Sequence, residues 1–160
     1  MINRLQISIG LLFLLTGGLL YLIDRPPEYT YFLFASPYNF SLHDIFPPLF
    51  GSLGNYLPAF VHIVSFIMLT AGIMHSGRKG NFVICLFWLL LAGSCELGQK
   101  FPEAATQLIP QWFDNIFLLE NTWNYFTHGT YCSIDLLATF LGALSGYWIL
   151  TLTQNRRTVP

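Results

Sequence analysis

Three ionisable side chains, His62, Glu96 and Asp135, fall inside stretches that otherwise carry almost no charge, and Gln99 follows Glu96 by one helical turn. An ionisable group inside hydrocarbon is costly, so it normally faces the protein interior and often marks function. Two carboxyls and an imidazole brought together there could share a proton, hold a polar headgroup, or exchange protons with a substrate. They could also simply bond helices to one another. No nucleophile is obvious. Ser94 and Ser133 are close in sequence, but each serves as readily in capping or packing. No catalytic set is therefore assigned, and His62, Glu96, Gln99 and Asp135 stand as candidate ligand-binding residues.

The elements that must position these groups are apolar and long. Of the 160 residues, 54% are hydrophobic and only 9% charged. Soluble domains carry about 25% charged residues, so this chain is solvated mainly by lipid. Four stretches reach the roughly 20 apolar residues that a membrane crossing needs: 5–23, 56–74, 82–99 and 133–152. The expected fold is an all-α integral membrane protein, a single domain over 1–160 built as a four-helix bundle. The first stretch is longer than the apolar core of a signal peptide and lacks a small-residue cleavage pattern, so it reads as a span. Ile109 to Asn121 is expected to form a short interfacial helix with Trp112, Phe113, Ile116, Phe117 and Leu119 toward lipid.

Orientation follows from the basic residues. Arg4, Arg78, Lys79, Arg156 and Arg157 fall on one side; Arg25 and Lys100 fall on the other, with most of the acids. The positive-inside rule then places both termini in the cytoplasm and the two long loops outside. The segment His75 to Gly80 is read as a short basic turn between spans. The outer loops are aromatic. Residues 28–55 hold Tyr29, Tyr31, Phe32, Phe34, Tyr38, Phe40, Phe46 and Phe50, and residues 101–130 hold Trp112, Trp123 and Tyr125 among others. Such side chains suit the headgroup region.

At about 1.5 Å per residue, His62, Glu96 and Asp135 lie within roughly 10 Å of the same membrane boundary. The helical period puts Asp135, Ala138, Thr139, Gly142 and Gly146 on one stripe, with Leu137, Phe140, Leu141, Leu144 and Trp148 opposite. Ala138, Gly142 and Gly146 are the expected helix-packing positions, since small residues let membrane helices approach. In the third span Glu96 shares a face with Cys85, Leu89 and Ala92; in the second His62 aligns with Ser65, Leu69 and Ile73. An inward cluster of His62, Glu96, Gln99 and Asp135 follows.

Several functions are excluded or disfavoured. A net charge of −1 lacks the basic face that nucleic acid selects, so no nucleic-acid partner is expected. Cys85, Cys95 and Cys132 form no C-x-x-C pair, and neither a metal site nor a cofactor is expected. Cys95 and Cys132 could pair in an oxidising compartment, although two packed thiols fit as well. His43 and His128 read as surface or interface residues, and His75 as part of the basic turn. Four spans without paired interrupted helices do not resemble a transporter.

Three segments resemble VanZ-like membrane proteins. Glu96-Leu97-Gly98-Gln99-Lys100-Phe101 is similar to that family's E-L-x-Q-x-F segment. Gly129 to Ala138 followed by Gly142-Ala143 is similar to its later G-R-x-x-S-x-x-D segment, with Thr130 in place of the arginine and Thr139 in place of an asparagine. Pro58 to His62 is similar to its helix-start histidine. The resemblance, to a divergent branch, implies a small multispan protein of the bacterial cytoplasmic membrane with a role in the cell envelope. Two functions are weighed. One is a non-enzymatic accessory protein, binding a membrane lipid or lipid-linked precursor, or joining other membrane subunits or copies of itself. The other is an intramembrane enzyme acting on a lipid headgroup through Glu96, His62 and Asp135.

Overall fold

A computed structural model describes residues 2–26, 41–74, 76–116 and 119–154. Every regular element among them is helical. Helix α1 (Arg4–Leu19) runs directly into a π turn, Leu20–Asp24. A 3₁₀ turn, Gly51–Asn55, leads to α2 (Leu57–Met74), which is followed by α3 (Arg78–Lys100). Two short helices, α4 (Pro102–Gln107) and α5 (Thr122–His128), flank a 3₁₀ turn at Gln111–Asn115. Helix α6 (Ser133–Thr153) closes the chain. Four of these helical runs, of 21, 18, 23 and 21 residues, are long and apolar enough to cross a membrane. At about 1.5 Å per residue they match a hydrocarbon core of roughly 30 Å.

Two expected boundaries differ. The third span begins at Arg78 rather than Phe82, so Arg78, Lys79 and Gly80 form the first turn of α3 and not a linker. Their long basic stems can lie along a helix end while the charges reach water. The expected helix over Ile109 to Asn121 is broken. Pro110 disfavours the α conformation in Ile109, Gln111–Asn115 closes only a 3₁₀ turn, and Ile116 is extended at φ −116°, ψ 119°. Tyr29 to Phe40, His75, Phe117, Arg156 and Arg157 lie outside the described residues.

The four spans alternate in direction, and α2 lies at the centre with α1, α3 and α6 packed around it. Small residues set each close approach. On α6, a Cβ at Gly142 would collide with Ile63 and with the Phe60 carbonyl, and one at Gly146 would press on Ile67. On α1, Gly10 receives Leu69, and its carbonyl accepts a 2.9 Å hydrogen bond from Ser65 Oγ. Ile63, Val64, Ile67, Met68, Ala143 and Leu150 fill the space between. Leu137, Phe140, Leu141, Leu144 and Trp148 face away from the bundle, the outward set expected for α6.

Polar groups tie the end where α1 begins and α6 finishes. Asn3 caps α1, accepting from the Gln6 amide at 3.3 Å, while its own amide nitrogen donates to the Thr153 carbonyl at 3.2 Å. Gln6 Nε2 donates to Thr153 Oγ1 at 3.1 Å, and Asn3 N donates to the Gly72 carbonyl at 2.9 Å. Asn3 and Gln6 are both buried. The other end, where the loops emerge, holds the ionisable cluster.

Candidate functional site

The π turn at the end of α1 presents Tyr21, Asp24 and Arg25 to the loop end of the bundle. Asp24 accepts hydrogen bonds from the backbone amides of Leu49 (2.7 Å) and Phe50 (2.9 Å). A Cβ at Gly54 would strike the same carboxylate. His43 Nδ1 lies 2.9 Å from the Ile23 carbonyl. Arg25 Nη2 donates to the Asn55 carbonyl at 2.5 Å, and its guanidinium lies 5.0 Å from the centre of the Tyr21 ring. These contacts fix Arg25 over the mouth of the bundle.

Opposite stand the last turns of α3 and the first turn of α6. Glu96 and Asp135 come from these two helices and lie within electrostatic range of each other and of Arg25. Neither carboxylate forms a hydrogen bond or ion pair among the described residues. Glu96 Oε2 and Asp135 Oδ1 are moreover removed from solvent with no donor in reach. An unmatched buried acceptor costs about 1–3 kcal/mol, and more when charged. Asp135 also occupies the first turn of α6, where the helix dipole favours a negative group.

Helix α5 forms a roof on the end of α3 beside this pair. Phe126 packs on the bare face of Gly98, and Gly129 leaves space for the Gln99 side-chain amide. Gln99 therefore supports the α5 roof from one turn beyond Glu96. Tyr125 lies within electrostatic range of Glu96, Cys95, Tyr21 and Asp135. Burial, then the neighbouring acidic groups, pushes its phenol far above the ordinary value of about 10. Tyr125 consequently stays a neutral O–H donor at any physiological pH.

His62 takes a different position. Its ring fills the space left by Gly17 on α1 and lies 5.4 Å from the Tyr21 ring and 6.0 Å from the Phe66 ring. Its electrostatic neighbour is Arg25. Glu96 and Asp135 thus lie within electrostatic range of each other, whereas His62 is linked to them by way of Tyr21 and Arg25. Below His62 the rings continue. Phe66 stacks on Trp88 at 4.8 Å, and Trp88 Nε1 donates to Thr70 Oγ1 at 3.0 Å. This row floors a slot between α1 and α3, which make no extended contact with each other.

The chain matches no family model, no curated protein and no solved structure. What the site can do must be read from its own chemistry. The two serines near the carboxylates are engaged or distant: Ser94 Oγ donates to the Leu90 and Leu91 carbonyls of its own helix, and Ser133 Oγ approaches the Tyr131 hydroxyl at 3.4 Å. Cys85, Cys95 and Cys132 are free thiols. Among the described residues no three His, Cys, Asp or Glu side chains are grouped to hold a metal. A separate cavity of about 480 Å³, lined by Arg78, Thr151, Leu152 and Gln154, opens at the opposite end of the bundle and shares no residue with the cluster.

Three members of the site escape a reading based on charge inside apolar stretches. Arg25 lies just past the first stretch, Tyr21 is an ordinary span-end aromatic, and Tyr125 lies in a loop. One signal was present: Tyr21 and Arg25 are four residues apart, the spacing that stacks neighbours on a helix face.

Proposed function

We propose that the protein is a non-enzymatic accessory protein of the bacterial cytoplasmic membrane that binds the polar headgroup of a membrane lipid or lipid-linked precursor at Glu96 and Asp135. The observation that carries this reading is the pair of donor-less carboxylate oxygens, borne by two helices within electrostatic range of each other and of Arg25. A buried acceptor without a donor is unusual, and a donor on a bound headgroup would satisfy it. The basic residues Arg4, Arg78 and Lys79 at the terminal end support an orientation with both termini in the cytoplasm and the cluster toward the outer leaflet. Exposed Leu108, Trp112 and Trp123 on the loop end suit contact with headgroups. The similarity of residues 96–101 and 129–143 to VanZ-like proteins supports a setting in the cell envelope. Ser94 is bonded within its own helix, which favours binding over transfer of a group to that hydroxyl.

Native mass spectrometry of the full chain, extracted gently from its own membrane, tests the reading. A retained lipid that is lost in the Glu96→Gln/Asp135→Asn double variant is the expected result. The variant's fold is checked by circular dichroism. A lipid-free monomer overturns the proposal, and a stoichiometric protein partner replaces it with a subunit role.

A further inference from the structure

We infer that the slot between α1 and α3 takes one phospholipid whose headgroup ends in a primary ammonium, entering sideways from the leaflet. Its phosphate lies toward Arg25, its ammonium at Glu96 and Asp135, and one acyl chain along His62, Phe66 and Trp88. This assignment rests on the function proposed above and gives it a chemical class.

Access comes first. Among the described residues, helices α1 and α3 both pack on α2 and make no extended contact with each other, so the slot has a floor, two walls and an open side. Phe66 in the floor is 36% exposed, and Ile73, further along the same stripe of α2, is 63% exposed. Among the described residues, the ionisable groups of this slot lie at one end. From His62 to Thr70 on α2, and from Glu96 to Trp88 on α3, the helical rise is about 12 Å on each wall. That depth is lined by rings and closed by the Trp88–Thr70 hydrogen bond. A polar mouth above an apolar, laterally open channel has the shape of a lipid with its headgroup uppermost.

Charge then selects the headgroup. Arg25 carries five N–H donors in a planar fork. One of its nitrogens is held by the Asn55 carbonyl, and the others can meet a phosphate, for which the fork is well matched. Glu96 Oε2 and Asp135 Oδ1 are acceptors without donors. A primary ammonium offers three N–H donors and a positive charge, and so answers both. A quaternary ammonium has the charge but no donor. A glycerol headgroup has donors but no charge. Tyr125, a neutral phenol within electrostatic range of both carboxylates, offers the headgroup a further O–H donor.

Delipidated full-length protein, incubated with equal amounts of phosphatidylethanolamine, phosphatidylcholine and phosphatidylglycerol of identical chains, is read by native mass spectrometry. The ethanolamine lipid is expected to be retained about tenfold over either competitor, the discrimination that one charge-assisted hydrogen bond supplies. Glu96→Gln/Asp135→Asn should level the three. Phe66→Trp, which fills the slot, should weaken all three alike while leaving their order intact. Equal retention of the choline lipid, or preference for the glycerol lipid, overturns the ammonium assignment and leaves headgroup binding standing. Retention of no lipid, or a second copy of the chain in its place, overturns both.

Discussion

Glu96 and Asp135 each keep one oxygen away from water without a donor, and that cost decides what substitution does. Glu96→Gln and Asp135→Asn preserve shape and remove the charge. In delipidated detergent each variant should be as stable as the parent or more so, by up to about 1–3 kcal/mol. In lipid carrying a primary ammonium the order should reverse, because the parent alone gains the ligand. Thermal unfolding followed in both media checks the crossing; a loss of stability in both would mean that the carboxylates only tie helices together. Tyr125 gives a second residue-level outcome. Its folded pKa is raised, so its contribution to stability is complete below the ordinary phenol value of about 10 and is lost as pH rises past it. The alkaline ultraviolet difference spectrum of Tyr125→Phe should therefore coincide with that of the parent just above pH ~10, since the phenol removed was not yet ionised. Arg25 and Tyr125 lay beyond a sequence reading because a charge at a span end and an aromatic in a loop are both common there.

Among the elements, the glycines on α1 and α6 separate packing from propensity. Gly17 and Gly18 are neighbours on α1, yet a Cβ at Gly17 would meet His62 Nε2 at 2.9 Å and one at Gly18 would meet nothing within 4 Å. Gly17→Ala should displace His62 and cost about 1–3 kcal/mol. Gly18→Ala should be neutral or stabilising by up to about 1 kcal/mol, the helix preference of alanine. Gly142→Ala, aimed at Ile63 and at the backbone carbonyl of Phe60, should cost more than Gly17→Ala, where the tip of the His62 ring can shift. Unfolding in mild detergent ranks the three, and equal effects at Gly17 and Gly18 would contradict the α1–α2 interface. The four spans were legible because about 20 apolar residues have few other uses. The α6 stripe was legible because small residues recur at helical spacing. The α1 face was not: Gly10 and Gly17 are seven residues apart within an almost uniformly apolar run, so no polarity contrast marks them. The helix expected over Ile109 to Asn121 failed for a local reason. Apolar residues there do recur at helical spacing, but Pro110 and an extended Ile116 interrupt the backbone.

At the scale of the whole molecule, the start of α1 and the end of α6 lie together and the carboxylates lie at the far end, so orientation decides which leaflet would supply the proposed ligand. The Asn3–Thr153 and Asn3–Gly72 bonds join the start of α1 to the ends of α6 and α2. Arg4, Arg78 and Lys79 occupy this terminal end, whereas the loop end pairs its few cations, Arg25 and Lys100, with more acids. Basic residues near span ends resist translocation, and acids matter little to that bias. A green fluorescent protein fused after Pro160 should therefore fluoresce. Alkaline phosphatase inserted after Leu108, which is 82% exposed on the loop end, should be active. The two reporters must agree, because one needs the cytoplasm to mature and the other needs the oxidising side to fold. The opposite pattern would turn Glu96 and Asp135 toward the cytoplasmic leaflet. The headgroup chemistry would then survive, but the lipid would have to come from the inner face and the protein could not act on an outward-facing envelope precursor.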